Sequence, residues 1–298
     1  MKRKTHLVRS FKNFLLVVPA LFFLILFTYY PIVDVIRISF TNWNLIRDEY
    51  QYVGLKNWVW LLQGSGVKYL LTSLWVTAVY TVGEVVITLG GGIILALLFN
   101  KMTQSYSVMR AIVFMPRYVA MSSAAVIFLW LLDNQHGVFN FFLEFVGLSP
   151  INWLGQRNMA LISILILTGW RTVGYGMIIY LAAMVAISPD YYEAAELDGA
   201  NSFQRFFRIT LPLLSPTTIF LFVTTVISSM KIFQSVDILT QGGPYRSTEV
   251  MVYQIYKYAM IDFRMDRAAA TAVFFFVVLL VFTALTMRVT RGSVHYDS

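Results

Sequence analysis

The sequence predicts an all-α fold, a polytopic membrane bundle of six transmembrane helices, and three observations carry that expectation. Hydrophobic residues make up 58% of the 298-residue chain and charged residues only 13%, against roughly 45–50% and 25% in soluble chains. Six segments are long and apolar enough to cross a bilayer, which takes about 20 residues of helix. None of them alternates in polarity, as the roughly 10-residue strands of a membrane barrel would. A chain so poor in charge cannot cover a water-facing surface, so a soluble enzyme, a disordered scaffold and a nucleic-acid reader are excluded.

The first span, residues 14–33, is uncharged and longer than the roughly 7–15-residue core of a cleavable signal peptide, so it is expected to be retained. The second, 69–98, carries only Glu84. The third, 111–132, carries only Arg117, which follows Pro116, a helix-kinking residue. The fourth, 159–187, carries Arg171, the fifth, 213–239, carries Lys231 and Asp237, and the sixth, 268–287, is uncharged. Gly90, Gly91 and Gly92 in the second span read as a point of close helix packing.

Six spans place both termini on one side of the membrane. Residues 1–12 hold Lys2, Arg3, Lys4, Arg9 and Lys12 and no acid, which marks that side as cytoplasmic. On this orientation eleven basic residues lie inside and nine outside, so the tail decides the topology and the net charge of +8 is topological. The expected location is the plasma membrane, multi-pass, with both termini cytoplasmic. Tyr29, Tyr30, Trp43 and Trp130 fall near predicted span ends, where interfacial aromatics belong.

The outer segments carry structure of their own. Residues 40–68 contain Trp43, Trp58 and Trp60. Residues 133–157 contain Phe139, Phe141, Phe142 and Phe145, the apolar density of an interfacial or re-entrant helix. The third opens on Gln241, Gly242, Gly243 and Pro244, a turn, and continues with helical spacing over 249–260.

Catalytic chemistry finds no support. There is no cysteine, and His6, His136 and His295 stand far apart, so thiolate and imidazole metal sites are not expected. The nearest approach to a phosphate-binding loop, Gly64, Ser65, Gly66, Val67 and Lys68, lacks the required spacing. No catalytic residue, metal or cofactor is expected, and ATP would have to be used by a separate subunit.

The most informative stretch is residues 188–212, on the cytoplasmic side. Ser188 can cap a helix whose first position is Pro189, with Asp190 and Glu193 suited to its N-terminus and Gly199 ending it. Ser202 can start a second helix that buries Phe203, Phe206 and Phe207 on one face. Ala194, Ala195 and Gly199 keep the first helix slim enough for a groove on another protein, although an ordinary surface helix has the same pattern.

At these residues the chain resembles a family. Glu193, Ala194 and Ala195, then Gly199, then Ile209, Thr210, Leu211 and Pro212 are similar to the signature loop of permease subunits of bacterial binding-protein-dependent ABC importers. The likeness runs from Val53, Gly54, Leu55, Lys56, Asn57 and Trp58 through Gly242, Gly243 and Pro244 to the end. These flanking features resemble the branch that includes maltose, oligosaccharide and glycerol-phosphate permeases. The resemblance implies the type I importer permease fold, a second permease (a heterodimer), two cytoplasmic ATPases, an extracytoplasmic solute-binding protein and a sugar or oligosaccharide as solute. By resemblance Glu193, Ala194, Ala195, Asp198 and Gly199 couple the permease to its ATPase. The implied organisation is residues 1–68 as tail, first span and outer loop, 69–288 as the five-helix core, and 289–298 as a second tail.

Polar residues within spans mark the solute path, because a charge at mid-bilayer costs about 2.5–3.5 kcal/mol and normally faces an interior or wet cavity. Thr168, Arg171, Thr172 and Tyr175 fall at i, i+3, i+4 and i+7 beside Trp170. Thr224, Ser228, Lys231 and Ser235 form a second stripe on the fifth span, flanked by Thr225, Ser229, Phe233 and Gln234. The resemblance matches solute-binding positions to Thr168, Arg171, Thr172, Tyr175, Thr225, Ser228, Ser229 and Ile232, with Lys231 added from the stripe. Most identities differ from the maltose pattern, and the two cations suit an acidic sugar or a phosphate ester such as glycerol-phosphate as well as a neutral sugar. Two readings stay open beside this one: Arg171 or Lys231 pairs with Glu84 or Asp237 or faces the other permease, or the chain is a membrane anchor and docking scaffold with the solute site on its partner permease. Arg117 is expected at an interface or acid rather than on solute.

Overall fold

The computed structural model describes residues 14 to 291 apart from 15, 48 and 102. The basic tail that sets the expected orientation lies outside the described residues, as do residues 292–298. Among the described residues four helices are long and apolar enough to cross a membrane, and two bent helix pairs bring the number to six when each pair is taken as one span. The only strand-like pairing among the described residues is an isolated bridge between Thr41 and Tyr52.

In chain order, α1 is Leu16–Ile38, α2 Lys56–Leu62 and α3 Gly66–Leu98. The third span is α4, Gln104–Phe114, a 3-10 turn Met115–Tyr118 and α5, Met121–Leu131, with a bend of 102°. After α6, Val138–Phe145, comes α7, Arg157–Val185. Helices α8, Pro189–Leu197, and α9, Ser202–Leu213, precede α10, Ser215–Ser229, which bends from α9 by 62°. The chain continues as α11, Gln234–Leu239, α12, Met251–Tyr256, and α13, Met265–Arg291.

Two compact units emerge, one holding the residues up to Val67 with Ile255–Val277, the other Lys68–Gln254 with the residues from Val278. In the first unit, α1 buries none of its apolar window and presents Phe22, Phe23 and Phe27 outward, as a lipid-facing helix does. It runs on to Ile38 with Arg37 paired to Asp34 at 2.7 Å, so Tyr29 and Tyr30 sit inside the helix rather than at its end. The buried Asn57 amide ties the loop by donating to the carbonyls of Ser39 and Thr41 at 3.0 and 2.7 Å. Arg267 lies over the Trp60 ring at 4.2 Å.

In the second unit the core is Ala96, Met177, Tyr180, Leu181, Met184, Leu214 and Leu221, from α3, α7 and the start of the fifth span. Small residues let α3 and α7 touch. A Cβ on Gly92 would stand 2.8 Å from the Gly176 backbone, and one on Gly176 would stand 2.2 Å from the Thr88 carbonyl oxygen. Gly91 and Gly92 serve this contact, whereas Gly90 meets nothing within 4 Å. At the same place α3 passes through a π-helical stretch, Val86–Gly91, that turns Thr88 inward.

Two expectations fail, one for the fifth span and one for the segment before it. The helix of the fifth span does not run to 239: it stops at Ser229 and restarts at Gln234. The hydroxyls of Ser228 and Ser229 donate back to the carbonyls of Thr225 and Val226, competing with the helical ladder. The stripe from Thr224 to Ser235 is therefore not one helical face. Nor are the phenylalanines of α9 buried, since Phe203 is 71% and Phe207 48% exposed. Phe203, Phe206 and Phe207 stack on one another instead.

On the loop before α7, α6 is held by Asn140, whose buried side chain bonds Asn134, both backbone groups of Ile151, and Trp153. Phe141, Phe142 and Phe145 point away from that anchor and are exposed.

Candidate functional site

A cavity of about 390 Å³ opens where the fifth span breaks. Helix α7 contributes Thr168, Arg171 and Thr172, the end of α10 contributes Ser228 and Ser229, and the broken stretch contributes Lys231, Ile232 and Phe233. The opposite walls are Tyr80 and Glu84 from α3, Arg117 and Met121 from the bend of the third span, and Gln234 and Ser235 from α11. Breaking a span here frees a short length of backbone and side chains that a continuous helix would turn to its neighbours.

Glu84 is the structural hub. Only 3% exposed, it accepts from the Thr168 hydroxyl at 2.7 Å, the Thr172 hydroxyl at 2.8 Å and the Tyr80 hydroxyl at 3.4 Å. Thr88 bonds Thr172 at 3.0 Å. These contacts fix α3 against α7 and set the floor of the cavity.

The cations are held differently. Arg171 reaches the Met121 sulfur and the Arg117 carbonyl at 3.4 Å each, while its buried Nε has no hydrogen-bond partner among the described residues. The Arg117 guanidinium lies over the Tyr175 ring at 5.0 Å. Among the described residues, Arg117, Arg171 and Lys231 form no ion pair. Among the described residues neither Arg171 nor Lys231 comes within ion-pair distance of Glu84 or Asp237, although Glu84 acts on Arg171 through space.

Of the residues singled out from sequence, Thr168, Arg171, Thr172, Ser228, Ser229 and Lys231 meet at this cavity. Tyr175 does not line it but supports Arg117 from below, and Thr225 is buried behind Ser228, to which it offers its carbonyl. Trp170 packs on Phe128 at 5.5 Å rather than into the cavity. Sequence reasoning missed Tyr80, gave Glu84 no more than a pairing role and directed Arg117 elsewhere. A signal existed: Ser73, Thr77, Thr81, Glu84 and Thr88 recur every three or four residues on the second span, and all are buried.

A second feature is the segment between the fourth and fifth spans. Ser188 caps α8 by accepting from the Asp190 N–H, and Gly199 ends the helix at φ +74°. As expected α9 starts at Ser202, and Asn201 caps it: the Gln204 N–H donates to Asn201 Oδ1 and the Asn201 N–H to Gln204 Oε1, at 2.9 Å each, in a capping box. Arg205 pairs with Glu196 at 3.1 Å and Tyr192 bonds Thr210 at 3.0 Å, so the two arms brace each other. Glu193, Ala194, Asp198 and Gly199 are exposed and Ala195 is half-buried, while Leu197 stands 90% exposed.

Six spans, a polar cavity at a span break and a braced, exposed helix between spans define a multi-pass membrane permease. Residues 88–292 match the model of the binding-protein-dependent transport system inner membrane component, and the chain belongs to that family. It is 32% identical to the probable ABC transporter permease protein YurN of Bacillus subtilis, over 92% of this chain and 94% of that one. It is 31% identical to the trehalose/maltose transport system permease protein MalF of Thermococcus litoralis, over 94% and 93%. Its fold matches a chain of a bacterial alginate ABC transporter, solved in complex with an alginate pentasaccharide-bound periplasmic protein, with a TM-score of 0.83 at 24% identity over 97% and 96% of the two chains.

Proposed function

We propose that the chain forms part of the path by which a sugar or oligosaccharide, delivered by an extracytoplasmic binding protein, crosses the membrane. The cavity at the break of the fifth span carries this reading: alcohols, an amide, cations and the rings of Tyr80 and Phe233 converge there. Hydroxyls, amides and charged groups bond sugar hydroxyls, and rings suit the apolar sugar face. A relative named for trehalose/maltose transport and a structural match to an alginate transporter support a saccharide.

In this reading Glu193, Ala194, Ala195, Asp198 and Gly199 dock on a cytoplasmic ATPase, and a second permease supplies the other half of the path. Two ATPases closing on nucleotide would draw the paired loops together and rock the spans between outward and inward access. The braces between α8 and α9 let that segment move as one lever. Both termini are cytoplasmic, residues 69–288 form the transport core, and the turn at Gln241 to Pro244 with α12 meets the binding protein.

The test is uptake by the reconstituted transporter with Ser228→Trp, which fills the cavity. Uptake should fall at least about tenfold with the complex still assembled, because an indole overfills the space a solute needs. Wild-type uptake would favour the scaffold alternative, with the solute site on the partner permease.

A further inference from the structure

We infer that this cavity accepts an anionic group of the solute, a carboxylate or a phosphate ester, through Arg117, Arg171 and Lys231. The inference rests on the reading of the cavity as part of the solute path and deepens it. Three cations and one carboxyl line a single space, so even with Glu84 acting on Arg117 and Arg171 through space the lining keeps an excess of positive charge, and none of the three cations is in an ion pair among the described residues. A charge inside a span is expensive unless it meets a partner, water or a ligand. Lys231 is exposed to the cavity from the broken stretch, where no helical neighbour restrains it.

Two orphan groups point the same way. The Nε of Arg171 and the Oγ of Ser235 belong to residues that line the cavity, both atoms are buried, and neither has a hydrogen-bond partner among the described residues. Buried polar groups are almost always paired, so the unpaired Arg171 Nε shows that the protein does not use up this guanidinium, and an oxyanion in the cavity would meet its remaining N–H groups and the Lys231 ammonium. A guanidinium held on a methionine sulfur and a backbone carbonyl keeps donors free for the forked contact arginine makes to carboxylate or phosphate. A neutral sugar could satisfy the hydroxyl but would leave the cations uncompensated.

Equilibrium dialysis of the purified, assembled transporter against radiolabelled trigalacturonate, sn-glycerol 3-phosphate and maltotriose tests this. The acids should bind and maltotriose should bind more weakly, with the preferred acid telling a carboxylate from a phosphate site. Arg171→Gln and Lys231→Gln should each weaken binding of that acid about 10- to 100-fold, the loss of a charged hydrogen bond. They should weaken maltotriose binding clearly less than they weaken binding of the acid, because glutamine keeps a hydrogen bond to a sugar hydroxyl but not the charge an anion needs. Lys101→Gln, which removes an equal charge outside the cavity, should change neither. Size-exclusion of each variant confirms assembly, and Arg171→Lys, keeping charge without the fork, should recover part of the affinity. Failure of both acids to bind, or binding unaffected by Arg171→Gln and Lys231→Gln, overturns the anion site. If maltotriose binding is then lost in Ser228→Trp, the solute path itself still stands; if it is retained, that reading falls as well.

Discussion

Adding one methyl group at Gly176 should pull the second and fourth spans apart. Its Cβ would stand 2.2 Å from the Thr88 carbonyl oxygen, whereas real Cβ atoms keep at least 3.0 Å. Both atoms belong to helix backbone, so relief requires the helices to part by about 0.8 Å, the difference between those distances. Glu84 and Thr172 lie one turn away on the same two helices. The 2.7 and 2.8 Å bonds of Glu84 to Thr168 and Thr172 would open to about 3.5–3.6 Å, past useful range. Overpacking costs about 1–3 kcal/mol and each intramembrane hydrogen bond adds about 0.6 kcal/mol, so Gly176→Ala should lose roughly 2–4 kcal/mol. In thermal unfolding of the purified protein, that lowers the midpoint by about 4–16 °C. Gly90→Ala is the control, because its Cβ meets nothing within 4 Å and alanine is the better helix former. A Gly176→Ala midpoint within about 2 °C of wild type, or an equal loss in Gly90→Ala, would refute the packing argument.

Gly199→Val places a β-branched residue at φ +74°, a strain of about 1–2 kcal/mol outside the membrane. The variant should insert and fold but come away from its ATPase on purification, and wild-type retention with solute-stimulated hydrolysis would contradict docking through α8. Asn201→Ala removes the capping box and should cost about 1 kcal/mol, read as faster amide exchange over 202–205 and unchanged exchange in α7. A cytoplasm-only reporter should be active when fused after Lys101 or Gly199 and silent after Gly64 or Pro244; activity after Pro244 would contradict the six-span topology.

The spans were legible because hydropathy acts over 20 residues, a scale that local exceptions do not disturb. Their interruptions were less so. Pro116 announced a kink in the third span, but the turn at Met115–Tyr118 and the extended Val119 and Ala120 make it a bend of 102°. The fifth span gives no proline or glycine at its break; paired serines that bond their own helix accompany it, but Thr77, Thr168 and Thr172 do the same inside unbroken helices, so composition alone does not reveal it. The polar stripe of α7 was readable from its spacing. Its partner stripe on α3 was equally regular but is made mostly of threonine and serine, which pass as apolar in a hydropathy count. The helix end at Gly199 followed from glycine's freedom at positive φ, whereas Phe203 and Phe207 were misjudged because an aromatic stripe looks the same whether it faces a core or an open surface.

Because the chain has no cysteine, an introduced thiol is its only one and the transporter with the unaltered chain is the blank for partner thiols, and this tests the place of the cavity on the solute path most directly. Ser228→Cys puts that thiol at the break of the fifth span, and Leu280→Cys puts one on the exposed surface of α13, where Leu280 is 53% exposed. In the assembled transporter, a charged methanethiosulfonate reagent should modify the first, abolish uptake and be slowed by saturating trigalacturonate or maltotriose, whichever is transported. The second should be unaffected by solute. Modification of Ser228→Cys that leaves uptake intact, or that solute does not slow, would place the path elsewhere.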